Sequence, residues 1–332
     1  MVTTAPMTSK ELVLRTMRGE NPGRTPLYGW LSANLREELN AAFGSLRNFE
    51  DLYRFDLAHI GHGPSHVSPE WKKFREEKER QGEEFTPADF LDFPLPPVDQ
   101  PAAYAHVRDS LAHHHSRDRF CYMQTNGIFE PINDIFGIEN HLLFMALYPD
   151  EMLEIYRRLT DWNIAVAQNL IDLGVDGIHI SDDWGAQKSL LFSRQMYLDM
   201  IYPFHEKMIA AYRRSDVLVS LHSDGCITPI LDCVASLGFD FIHPWQETAN
   251  MPYSLYLEKY ADKFGILGGV CVQSTLGFGD LPRLKSEIDR VFGLLKGKRW
   301  ACCTTHFVQK HCTLDELIYA YDLLRERCDR TH

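Results

Sequence analysis

The sequence predicts an α/β fold, a single (β/α)8 TIM barrel running over residues 1–332 with an excursion inserted near residues 65–101. Three observations predict it. Short apolar runs alternate with amphipathic stretches along the chain, the rhythm of parallel strands joined by crossover helices. About eight such units follow one another, the number that closes a barrel. No Gly-x-Gly-x-x-Gly follows the first apolar run, which argues against the alternative, an open doubly wound sheet built around a dinucleotide.

The elements read as follows. Thr8-Ser9-Lys10-Glu11 is a capping box that opens a helix through Arg18, with Gly19 at its end. The turn Asn21-Pro22-Gly23-Arg24-Thr25-Pro26 leads into a first strand, Leu27 to Leu31. Helical pattern covers 33–54, and a second strand, Asp56 to Ile60, runs into Gly61-His62-Gly63-Pro64. Residues 65–101 break the rhythm with the charged run Lys72 to Glu84 and the proline-rich Phe93 to Pro97. A helix over 101–115 ends in His113-His114-His115, three neighbours that point in different directions and read as surface. A third strand, Arg119 to Gln124, precedes helices over 140–147 and 149–173. Strands then fall at 174–181, 217–222, 239–243, 264–270 and 300–305. The helices that follow them lie at 193–214, 227–237, 252–263, 281–296 and 313–328.

Composition narrows the function. A formal net charge of −12 argues against nucleic-acid or anionic-membrane binding, which needs basic surface. No apolar run is long enough to span a bilayer, and Met1 to Lys10 lacks the charged start and apolar block of a secretory signal. The eight cysteines are scattered without a CxxC pair, so reduced thiols and a cytoplasmic location are expected. Cys302 and Cys303 read as core residues. The oligomeric state is open, a homodimer included.

Barrel chemistry sits where strands end at their C-terminal side. The residues at those ends are Trp30, His62, Asn126, Asp182 with Asp183, His222 with Asp224, His243, Gln273 and His306. The stretch Leu218 to Gly225 is the sharpest. Its apolar run stops at His222-Ser223-Asp224, and side chains two apart on a strand share a face. An imidazole and a carboxylate converging there can bind a metal or move a proton. Asp182 and Asp183 can cap a turn or touch substrate. His243 can be a buried hydrogen-bonded residue, and Glu130 an acid, a base or a helix N-terminal carboxylate.

At these residues the chain resembles the uroporphyrinogen decarboxylase superfamily, which holds the decarboxylase and the corrinoid-linked methyltransferases. The resemblance runs through Leu14-Arg15-Thr16-Met17-Arg18-Gly19-Glu20, Arg24-Thr25-Pro26, Asp182-Asp183-Trp184-Gly185, Tyr202-Pro203, Leu221 to Gly225, Pro244-Trp245-Gln246 and Leu267 to Val270. It implies a (β/α)8 barrel with its site in the mouth. The decarboxylase branch implies an Arg-rich clamp near the first strand for a many-carboxylate substrate. Here that region has one arginine, Arg24, and the aromatics Tyr28 and Trp30, which suit a smaller, partly apolar substrate. The methyltransferase branch implies a zinc on a His-x-Cys pair and a later Cys. His222 matches the His, Asp224 stands at the first Cys, and His306 falls near the last. Carried over, the resemblance implies zinc or another divalent metal on His222, Asp224 and His306, with Asp183 or Asp182 beside it. It also implies Tyr28, Trp30, Asn126 and His243 around a small methylated substrate, and a corrinoid carried by a partner protein. A cofactor-independent decarboxylase is the alternative.

Overall fold

Seven strands, all parallel, form one sheet in the order of the sequence: β1 (Leu57–His62), β2 (Phe120–Asn126), β3 (Gly177–Ser181), β4 (Leu218–His222), β5 (Phe241–His243), β6 (Gly265–Val270) and β7 (Trp300–Thr304). They are seen in a computed structural model that describes residues 7–31 and 33–330. Residues 1–6, most of the stretch read for a secretory signal, lie outside the described residues.

The helices are α1 (Ser9–Met17), α2 (Arg36–Phe43), α3 (Leu46–Leu52), α4 (Pro69–Gln81), α5 (Pro87–Leu91), α6 (Ala105–His115), α7 (Glu130–Phe136), α8 (Ile138–Leu147) and α9 (Pro149–Asp172). The second half adds α10 (Arg194–Met196), which passes through a π-helical turn into α11 (Tyr202–Tyr212), then α12 (Leu231–Leu237), α13 (Tyr253–Lys259), α14 (Leu281–Leu295) and α15 (Leu314–Asp329). Among the described residues no helix is long and apolar enough to cross a membrane.

Local chemistry explains these bounds. Thr8 accepts from the Glu11 N–H at the start of α1, and Asp280 accepts from the Arg283 N–H at the start of α14. The buried residues of α14 are Leu284, Ile288, Val291, Phe292 and Leu295, one stripe at helical spacing. The strands are buried on both faces, as a parallel sheet covered by helices requires; every residue of β3, β4, β5, β6 and β7 is buried.

The eight-stranded barrel is met only in part. Between β7 and β1 lies the segment expected as the first strand. It makes one isolated parallel bridge, Leu27 to Cys302. Tyr28 N–H donates to Cys302 O at 2.9 Å and Cys302 N–H to Pro26 O at 2.8 Å. On its other side the Asp56 N–H donates to Leu27 O at 2.9 Å. The ladder then fails for physical reasons. Pro26 has no N–H to give, and the Trp30 N–H bonds the Thr304 hydroxyl at 3.0 Å rather than a backbone carbonyl.

The excursion after β1 is helical. Trp71, Phe85 and Phe90 form its own small core. It rests on α9, where the Trp162 indole donates to Pro96 O at 2.7 Å and Arg158 to Leu91 O at 2.7 Å.

Candidate active site at the strand ends

Parallel pairing brings the strand ends level. Asn126 is the register partner of Ser181, Ser181 of His222, and His222 of His243. One hydrogen-bond chain then sets the chemistry. The Thr304 carbonyl can only accept, so His243 Nε2, 3.1 Å away, carries the proton. Burial holds the His243 pKa down to about 3, so the ring is neutral and its Nδ1 is a lone pair. His222 Nδ1 lies 2.8 Å from it and must donate. His222 is buried and neutral too, its pKa lowered by burial and then by His243. Its Nε2 is therefore an unprotonated lone pair.

That lone pair faces carboxylates. It lies 3.7 Å from Asp183 Oδ1 and 3.9 Å from Asp224 Oδ1. His306 Nε2 approaches the other oxygen of Asp224 at 3.6 Å. Ligand atoms of His222, Asp224 and His306 all lie within 4.8 Å of one another. Asp224 Oδ1 is buried without a hydrogen bond. Burial, then Asp183, pushes the Asp224 carboxyl up to about 7, and burial raises Asp183 as well. Glu130, which accepts from the Ser181 hydroxyl at 2.8 Å, is pushed up to about 8 by burial and then by Asp183. Among the described residues no Lys or Arg pairs with any of the three.

Main chain holds the two aspartates together. The Asp224 N–H donates to Asp183 Oδ1 at 2.8 Å. A Cβ on Gly185 would meet Cys226 N at 2.5 Å, and one on Gly225 would meet Gly185 O at 2.4 Å. The loops after β3 and β4 thus touch backbone to backbone, which only glycine permits.

Other expected residues fall differently. Asp182 turns away from this cluster. It accepts from the N–H groups of Ile128, Phe129 and Glu130 at 3.2, 2.9 and 2.7 Å and pairs with His205 at 2.7 Å. Its place is the start of α7, which it caps. His243, read either as a buried hydrogen-bonded residue or as a substrate contact, is fully buried with both ring nitrogens engaged, by His222 and by the Thr304 carbonyl. Trp30, expected against substrate, is buried beneath the site. Its indole N–H donates to Tyr122 Oη at 2.8 Å, and its ring stacks on His59 and on His222 at 5.2 Å each.

Asn126 does line an accessible pocket, of about 220 Å³, with His62, His66 and Asn163, and donates to His66 Nδ1 at 3.0 Å. Tyr28 is packed on Phe55 and Tyr122 and lines a larger side cavity.

Two histidines escaped sequence reading. His179 binds Ser220 Oγ at 2.7 Å and leaves Nε2 buried and unpartnered. With His222 and His243 it forms a second, fully buried group of closely set nitrogens. His59 leaves its own Nε2 in the same state. The signal that finds His179 is period two: His179 and Ser181 on β3 share a face, as do Ser220 and His222 on β4.

The family model described as Uroporphyrinogen decarboxylase (URO-D) matches residues 133–306, just over half of the chain. The chain belongs to the uroporphyrinogen decarboxylase family. Its fold is shared with a methyltransferase from Methanosarcina mazei, at a TM-score of 0.74 and 15% identity over 97% of this chain and 99% of that one. A B12-independent methionine synthase from Shewanella sp. W3-18-1 is more distantly similar, at a TM-score of 0.51 and 12% identity over 92% and 96%. Among curated proteins none matches.

Proposed function

We propose that the chain is a metal-dependent methyltransferase of the corrinoid-linked demethylase type, moving a methyl group from a small methylated substrate to the corrinoid of a separate protein. One observation carries the reading: the His222 lone pair, both oxygens of Asp224 and the His306 ring converge on one space, and among the described residues no Lys or Arg pairs with that carboxylate. The donor set fits a divalent ion. It offers two imidazoles and a carboxylate, with Asp183 beside them, and the unpartnered Asp224 Oδ1 is an acceptor in want of a positive partner. An ion there would act as a Lewis acid on the oxygen or nitrogen that bears the methyl group. The chain's own residues do the rest. His243 fixes the tautomer of His222. The lock between the two loops holds Asp183 against Asp224. Trp30 seals the floor against water. The Asn126 pocket offers room for the body of a small substrate.

The alternative, a metal-free decarboxylase, is favoured by one observation. Asp224 at about 7 and Glu130 at about 8 can each hold a proton near neutrality and deliver it to a carbanion. Elemental analysis of protein purified without chelator separates the two. About one ion per chain is expected, lost together with methyl release from a methylated amine or ether in His222→Ala. A metal-free protein, or full transfer activity in that variant, would refute the proposal.

A further inference from the structure

The incomplete closure of the barrel leaves a gap in its wall, and the gap is a cavity. It lies between the 27–31 segment and β1, under α2 and α3 and against α6, with a volume of about 500 Å³. That is the size of a small-metabolite site. What lines it is mostly able to donate. Arg36 and Arg47 reach it from α2 and α3. Among the described residues Arg47 has no hydrogen-bonded or ion-paired partner and senses Glu50 only through space.

His114, read from sequence as surface, is buried at the cavity wall. Its Nδ1 lies 3.0 Å from Arg119 Nη1, which can only donate, so its own proton sits on Nε2. His59, on the floor, keeps its buried Nε2 without a partner. The one carboxylate in the lining, Glu50, lies 3.5 Å from Arg119 and also feels Arg47 and Arg36 through space. Two guanidiniums and an imidazole N–H against a single carboxylate leave the cavity lining with an excess of positive charge in a chain whose net charge is −12.

We propose that this gap is a second binding site, for a small organic oxyanion bearing a carboxylate or phosphate, gripped by Arg47 and met by the His114 Nε2–H, with Arg36 adding positive charge to the lining. Guanidinium pairs with both anions in the same forked geometry. The site owes nothing to the metal reading. Its residues come from α2, α3, α6 and β1, and none is a proposed metal ligand.

Isothermal titration of the full-length protein tests the proposal, after chelator treatment and at low ionic strength, so that a metal-bound anion cannot contribute. The probes are inorganic phosphate and, separately, succinate. Saturable binding of at least one is expected, weakened about tenfold or more in Arg47→Ala and unchanged in Arg18→Ala, outside the cavity. Arg47 is exposed, so the variant keeps its core, and circular dichroism checks that it folds. The preferred probe tells phosphate from carboxylate. No saturable binding of either, or equal affinity in wild type and Arg47→Ala, overturns the proposal.

Discussion

Buried carboxylates at the two ends of the sheet live under opposite rules. At the N-terminal end Asp56 is saturated. Arg24 grips it with two bonds of 2.8 and 2.6 Å, the Ser9 hydroxyl adds one at 2.6 Å and the Leu27 N–H another at 3.0 Å. Asp176, at the same end, takes Lys10 at 2.5 Å, His115 at 3.0 Å and the Cys121 N–H at 2.8 Å. At the C-terminal end Asp183 and Asp224 face each other and an imidazole lone pair. The first arrangement lowers the energy of the fold. The second raises it, the pattern of a site kept for binding or chemistry rather than for stability, and on the proposed function what it is kept for is a cation. The His115, Cys121 and Asp176 grouping makes the same point: its ligand atoms are close enough for an ion, but a lysine already fills that part.

Asp182 shows that position in the fold is not the whole story. It neighbours Asp183 in sequence, yet its four partners make it resemble Asp56. What separates the classes is whether each oxygen has a donor.

The comparison can be broken by making the same substitution at both ends. Asp56→Asn should cost about 3–5 kcal/mol in denaturant-unfolding free energy, because Arg24 loses its buried counter-charge. Metal content should not change. A loss under about 1 kcal/mol would mean that the bottom pair is ornamental.

Asp224→Asn should do the reverse. Metal affinity should fall about 100-fold by titration, while unfolding free energy in chelator stays equal or rises. A destabilised variant with intact metal binding would erase the distinction between the ends.

Glu50, in the side wall, sharpens the contrast through pH. Burial raises its carboxyl to about 7, with Arg119 opposing the shift. A raised acid pKa means that the folded state holds its proton more tightly than the unfolded chain. The cost of burying the charge is therefore fully present above pH 7 and disappears as pH falls toward 4.5. Glu50→Gln should stabilise the protein by on the order of 1–2 kcal/mol at pH 8 and by nothing near pH 4.5. A difference that does not vary with pH would show that the site is as well compensated as Asp56.

Much of the frame was legible in the sequence, because strands between covering helices read as continuous apolar runs. Seven of the eight expected strands form within a few residues of their expected bounds. The exception is instructive. Leu27 to Leu31 has strand composition, but whether an edge closes depends on which backbone groups are free, and Pro26 has no N–H while Trp30 gives its own to a side chain. The proximity of His222, Asp224 and His306 was readable because each ends a run. His59 and His179 were hidden because they lie inside their strands rather than at the ends, where barrel chemistry is sought, and only the period-two link to Ser181 points to His179. The separate fates of Asp182 and Asp183 were unreadable for a similar reason. A turn decides which neighbour faces the pocket, and its partners Ile128 to Glu130 lie over fifty residues away.

The contact between Gly185 and Gly225 makes the loops that carry Asp183 and Asp224 a rigid mount. The positions of the side chains they present follow from main chain touching main chain. If Asp224 holds the proposed ion, ligand type at that position is a free variable on an unchanging chassis. Sulfur or oxygen can be installed there without re-tooling the support, so that one scaffold can be tuned from a soft to a hard metal centre by changing little more than the tips.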